Sequence, residues 1–114
     1  MDNIVTVKPG VLFTVIAPGG FRILEAINAT ARGALLDLCI TSACDGQHSG
    51  PNDPHHRGEA YDVRSHDMTT DQKNTVLNRL GNELPAANFY FFLESPDTDN
   101  EHFHIQVRKG TVYP

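Results

Sequence analysis

Asn88-Phe89-Tyr90-Phe91-Phe92-Leu93, the turn Pro96-Asp97-Thr98-Asp99-Asn100, and His102-Phe103-His104-Ile105-Gln106-Val107 make up one continuous region of the chain. The first run is aromatic and strand-forming. The last alternates with period two, setting Phe103, Ile105 and Val107 on one face and His102, His104 and Gln106 on the other. Two such runs joined by a short polar turn predict an antiparallel hairpin. Upstream, Val76, Leu77, Leu80 and Leu84 form a helical stripe over 70–84, and Thr69 with Gln72 three residues on gives it a capping box. Ala60 to Arg64 and the apolar run Leu35 to Thr41 read as strands. Leu24, Ile27 and Ala31 recur at the spacing of one buried helical face, which predicts a helix over 21–32 stopped at Gly33. Ile4 to Val7 reads as a short strand and Val11 to Ile16 as a second apolar, β-branched run, ended by Pro18-Gly19-Gly20. The fold expected is α+β: a small antiparallel sheet with two or more helices packed on it, forming one domain over residues 1–114.

Composition narrows the functions. A chain of 114 residues holds one core. No run approaches the roughly 18 apolar residues of a membrane span. Met1-Asp2-Asn3 carries no positive charge and leads into no long apolar stretch, so it does not read as a secretory signal. The formal charge is −5 and the basic residues are scattered, which argues against nucleic acid as a partner. The charged residues mark no oligomer interface, so a monomer is expected. Cys39 and Cys44 are too few for a disulfide framework. Histidine is the anomaly: all six (His48, His55, His56, His66, His102 and His104) lie after residue 47.

Chemistry concentrates in the long polar stretch Ser42 to Gly58 and just beyond it. A loop of about 17 residues in so small a domain is unusual, and such loops tend to be functional or disordered. His55 ends the loop and Asp62 sits in the next strand, with Gly58 allowing a sharp turn and Ala60 leaving room between them. Imidazole and carboxylate are both zinc ligands, but a catalytic zinc takes three protein ligands and one open position. His104, on the polar face of the last strand, supplies a third. His102 shares that face and is the rival. Glu101 is the candidate general base for a zinc-activated water. Because residues three apart in a strand point to opposite faces, Glu101 has to lie in the turn to reach the metal. Cys44, His48, His55 and His56 form a rival structural zinc set, although their spacing fits no zinc-finger pattern. The aromatic run at 89–92 reads as core more than as a substrate platform, with Tyr90 left open to exposure.

His55-x-x-Gly58-x-Ala60-x-Asp62 followed about 40 residues later by Glu101-x-x-His104 resembles the zinc D-Ala-D-Ala carboxypeptidase and L-alanyl-D-glutamate endopeptidase family, which shares its fold with the hedgehog signalling domain. The resemblance covers roughly residues 20 to 108. It implies zinc held by His55, Asp62 and His104, with Glu101 as base. The implied substrate is the peptide stem of bacterial peptidoglycan, cut at an amide bond involving a D-amino acid. It also implies a phage endolysin or virion-borne wall hydrolase, made in the host cytoplasm and released to the wall or carried on the virion. Two departures stand out. Many members carry Ser-Gly-Tyr-Arg where this chain reads Ser42-Ala43-Cys44-Asp45, and many carry Ser where it has Asp53. The developing oxyanion still needs a donor. His48 is the first candidate and Arg57 the second. Without a donor, the alternative is a zinc-containing binding or structural module that does not catalyse.

Overall fold

The computed structural model describes residues 3–46, 50 and 52–110. The elements run β1 (Val5–Val7), α1 (Pro18–Ala34), β2 (Leu38–Ser42), β3 (Ala60–Arg64), α2 (Thr70–Glu83), β4 (Phe89–Glu94) and β5 (His102–Val107). The strands form one sheet in the order β1-β2-β3-β5-β4. The hairpin pairs Phe89 with Val107 through Glu94 with His102, and β5 pairs in turn with β3.

The sheet is mixed rather than purely antiparallel. β1 runs parallel to β2, because α1 carries the chain back before β2 begins. The second apolar run, Val11 to Ile16, is not a strand. Its backbone bonds to the site loop instead: Cys44 N–H donates to the Leu12 carbonyl at 2.7 Å, and Leu12 N–H donates to Asp45 Oδ1 at 3.3 Å. Val11 and Phe13 still pack against the core.

α1 is longer than its periodicity predicts. Pro18 occupies the first turn, where its missing N–H costs nothing. Gly33 does not end the helix, which runs to Ala34 and stops at Leu35 in the left-handed region (φ 56°). A Cβ on Gly33 would stand 2.8 Å from an Arg79 guanidinium nitrogen, so this glycine lets α2 approach. α2 begins as the capping box requires, with Thr69 accepting from Gln72 N–H and the Gln72 side chain accepting from Thr69 N–H.

Ile23, Ile27 and Ala31 of α1 and Val76 and Leu80 of α2 bury against Tyr61, Val63, Phe103, Ile105 and Val107 of the sheet. β5 alternates as its sequence predicts, with Phe103, Ile105 and Val107 buried and His102, His104 and Gln106 half-buried on the far face. Both helices cover one face of the sheet, and the other face is left to the polar set.

Candidate metal centre

The β3–β5 pairing sets Asp62 directly opposite His104 on that open face, the closest side-chain neighbours an antiparallel ladder provides. His55 arrives from the loop. Asp53 Oδ1 accepts from His55 N–H at 2.9 Å, Gly58 N–H donates to the His55 carbonyl at 3.1 Å, and Glu59 N–H donates to the Pro54 carbonyl at 2.9 Å. Gly58 closes this turn at φ +71°, and a Cβ there would run into the Val15 carbonyl. The buried Tyr61 hydroxyl donates to the Gly58 carbonyl at 3.5 Å; burial pushes its pKa up to about 12.

The outer nitrogens of both histidines are spoken for. His55 Nδ1 lies 3.0 Å from the Ala43 carbonyl, and His104 Nε2 lies 2.8 Å from Gln106 Oε1. An N–H donated outward in each case leaves the other nitrogen facing inward. His55 Nε2 is 3.3 Å and His104 Nδ1 is 3.1 Å from the same oxygen, Asp62 Oδ1. Outer hydrogen bonds that orient the rings are the usual setting of metal-binding imidazoles. The three donor atoms lie within 4.8 Å of one another. Two imidazoles and one carboxylate suit zinc and leave a position open. The residues present therefore fit the metal that the motif implies.

Without metal, the same contacts couple the charges of the three groups. Burial works to raise the Asp62 pKa, but hydrogen bonds from His104 and His55 outweigh it and hold the carboxyl well below its ordinary range. Burial works to lower the His104 pKa, but its bonds to Asp62 and Gln106 outweigh it and raise it above 6.5.

A cleft of about 470 Å³ opens onto the cluster, lined by Lys8, Thr41, Ser42, Asp53, Glu94 and Asn100 as well as the histidines and Asp62. Beside it, Phe92 is 42% exposed and its ring lies 5.4 Å from that of His104; Tyr90 stacks on Phe92 at 6.2 Å. The aromatic run therefore divides. Phe89 and Phe91 pack on the core, while Tyr90 and Phe92 flank the site.

Glu101 does not join the cluster. Its carboxylate is held by Lys73 Nζ at 2.8 Å, the Ser65 hydroxyl at 2.8 Å and Asp97 N–H at 2.9 Å. Lys73 belongs to α2, and Glu101 lines not the cleft itself but an adjoining pocket with Lys8, Thr41 and His102. Lys73 before all else holds its pKa down at about 2. Glu101 does lie off the strand, just before β5 with its N–H on the Thr98 carbonyl, but its carboxylate is taken up by Lys73, Ser65 and Asp97 rather than by the cleft. Of the two oxyanion candidates, His48 lies outside the described residues. Arg57 is paired with Glu59 at 2.9 Å and does not line the cleft. The rival structural set does not gather among the described residues. Both His56 nitrogens bond to carbonyls of the site loop, Gly50 at 2.6 Å and Gly46 at 2.7 Å, and Cys44 Sγ donates to the Val15 carbonyl at 3.4 Å. The Gly46 carbonyl, then that of Gly50, raises the His56 pKa.

Sequence reasoning missed Glu94, Gln106 and Lys8. The first two could have been found by aligning the hairpin, since Glu94 pairs with His102 and Gln106 with Tyr90. Nothing local marks Lys8. No protein-family model matches the chain, and no curated protein or solved structure matches it.

Proposed function

We propose that the protein is a zinc-dependent peptidase acting on the peptide stem of bacterial peptidoglycan, as a phage endolysin or virion-borne wall hydrolase. The observation that carries the reading is the convergence of His55 Nε2 and His104 Nδ1 on Asp62 Oδ1, each ring oriented by an outer hydrogen bond. His55, Asp62 and His104 would hold the ion. Zinc bound there would polarise a scissile carbonyl and lower the pKa of a water. The peptide class rests on the paired motifs His55-x-x-Gly58-x-Ala60-x-Asp62 and Glu101-x-x-His104. In this reading Lys8, a cation on the cleft wall, takes a carboxylate or the developing negative charge of the substrate. Glu101 accepts a proton at a carboxylate oxygen, which requires it to exchange Lys73 and Ser65 for the cleft.

That requirement favours a second reading, a metal-holding module that does not catalyse. Zinc analysis comes first, on the parent protein and on His104→Ala. One or more ions per chain, reduced in the variant, supports the site; no zinc in metal-replete parent protein sinks both readings. Hydrolysis of purified peptidoglycan then separates them. Cleavage by the parent, abolished in Glu101→Gln with zinc retained, supports the peptidase. Zinc-loaded parent protein that cleaves no wall preparation supports the module.

A further inference from the structure

A second set of donors shares Asp62 with the first. The β4–β5 register places Glu94 opposite His102 on the open face, and Arg64 of β3 is the partner of His102 on its other side. Glu94 Oε1 lies 2.7 Å and Asp62 Oδ2 3.5 Å from one atom, His102 Nε2. His102 Nδ1 lies 2.7 Å from the Asn100 carbonyl. This repeats the arrangement of His55, in which one nitrogen bonds outward to a backbone carbonyl and the other is aimed at carboxylate. The donor atoms of Asp62, Glu94 and His102 again lie within 4.8 Å of one another.

Asp62 is divided between the two sets. Its Oδ1 faces His55 and His104, and its Oδ2 faces His102. A carboxylate that offers one oxygen to each of two donor sets has the form of a bridging ligand. Among the described residues neither Asp62 nor Glu94 is within 4.0 Å of a Lys or Arg nitrogen, so the imidazoles are the partners in direct contact with the two carboxylates. A plain surface ion pair between His102 and Glu94 would account for one contact but not for the buried Asp62 oxygen turned to the same nitrogen, and such pairs contribute little.

We infer that the cleft takes two divalent ions of the zinc, cobalt or manganese kind, bridged by Asp62: one on His55 and His104, the other on Glu94 and His102. The inference rests on the first site's being a metal site. The second site is the more open, since the Glu94 side chain is 47% exposed, so its ion binds more weakly and exchanges first.

The test is a zinc titration of metal-free protein by calorimetry, with elemental analysis of the loaded chain, on the parent and on Glu94→Gln, His102→Ala and His55→Ala. Far-UV circular dichroism confirms that each is folded. Glu94 is exposed enough that its variant keeps the fold even if His102→Ala does not. Two ions per chain in two steps, falling to one in Glu94→Gln and His102→Ala with the tighter step retained, is the expected result. Cobalt loaded in place of zinc should show a second spectral step in the parent that Glu94→Gln lacks. One ion in the parent, unchanged in Glu94→Gln, overturns the second site and leaves the first standing. One ion lost in Glu94→Gln but kept in His55→Ala overturns the two-ion arrangement, since the metal would then sit on the outer set alone. No ion in the parent removes both sites together.

Discussion

Glu101 and Gly58 are two residues whose neighbours decide their roles. With its folded pKa at about 2 against an ordinary 4.5, Glu101 stabilises the fold above pH 4.5, and the contribution fades as pH falls from 4.5 towards 2. Glu101→Gln should therefore flatten the acid limb of the stability curve across that window. A parent and variant with parallel curves from pH 5 to 2 would show that the Lys73 contact does not persist in solution. Gly58 is constrained by shape. Its φ of +71° and the Val15 carbonyl in the path of a Cβ make Gly58→Ala strained as well as crowded. A loss of about 1–3 kcal/mol is expected, together with weaker zinc binding, because the same turn delivers His55. Denaturant melts and a zinc titration check the two effects separately. That His55, Asp62 and His104 come together was legible in the sequence because the three follow a motif with fixed spacing. The orientation of Glu101 was legible only as a difficulty, since it depends on Lys73 and Ser65, which no local pattern ties to it.

At the scale of elements, β5 has two chemically different faces, and substitutions should respect them. Phe103 is fully buried, and Phe103→Ala should cost about 3–5 kcal/mol in a denaturant melt. Phe92 is exposed beside His104, and Phe92→Ala should cost less than about 1 kcal/mol. Equal costs would mean that the open face is covered in solution. This alternation, like the α2 capping box, could be read directly because both are local rules of period and spacing. Gly33 was misread for an equally physical reason: a glycine near a helix end is the ordinary stop signal, and only the approach of Arg79 shows that it serves packing. Val11 to Ile16 has strand composition, but its hydrogen-bond partners are in the site loop. The parallel β1–β2 pair likewise depends on the return path through α1, a non-local fact.

Across the whole molecule, metal binding at the proposed site and folding should be coupled, because the candidate ligands are gathered from a loop and two strands that meet only in the folded chain. Zinc that binds only the folded state adds about 2.7 kcal/mol at a hundredfold excess over Kd, a Tm rise on the order of 10 °C for a chain of this size. The pH dependence has opposite signs with and without metal. In metal-free protein the raised pKa of His104 favours the fold below 6.5, and that advantage disappears as pH rises through the raised value. Zinc needs the Asp62-facing nitrogen of His104 without its proton, so its stabilisation is complete above the raised value and shrinks as pH falls through it. Thermal melts with and without zinc at pH 8 and at pH 5.5 should therefore show a large zinc shift at the higher pH and a small one at the lower. His104→Ala should show a smaller shift than the parent at pH 8 and less difference between the two pH values. An equal shift of the parent at both values would mean that the ion is held without His104, and the β3–β5 register that brings His104 opposite Asp62 would then have to be serving some other end.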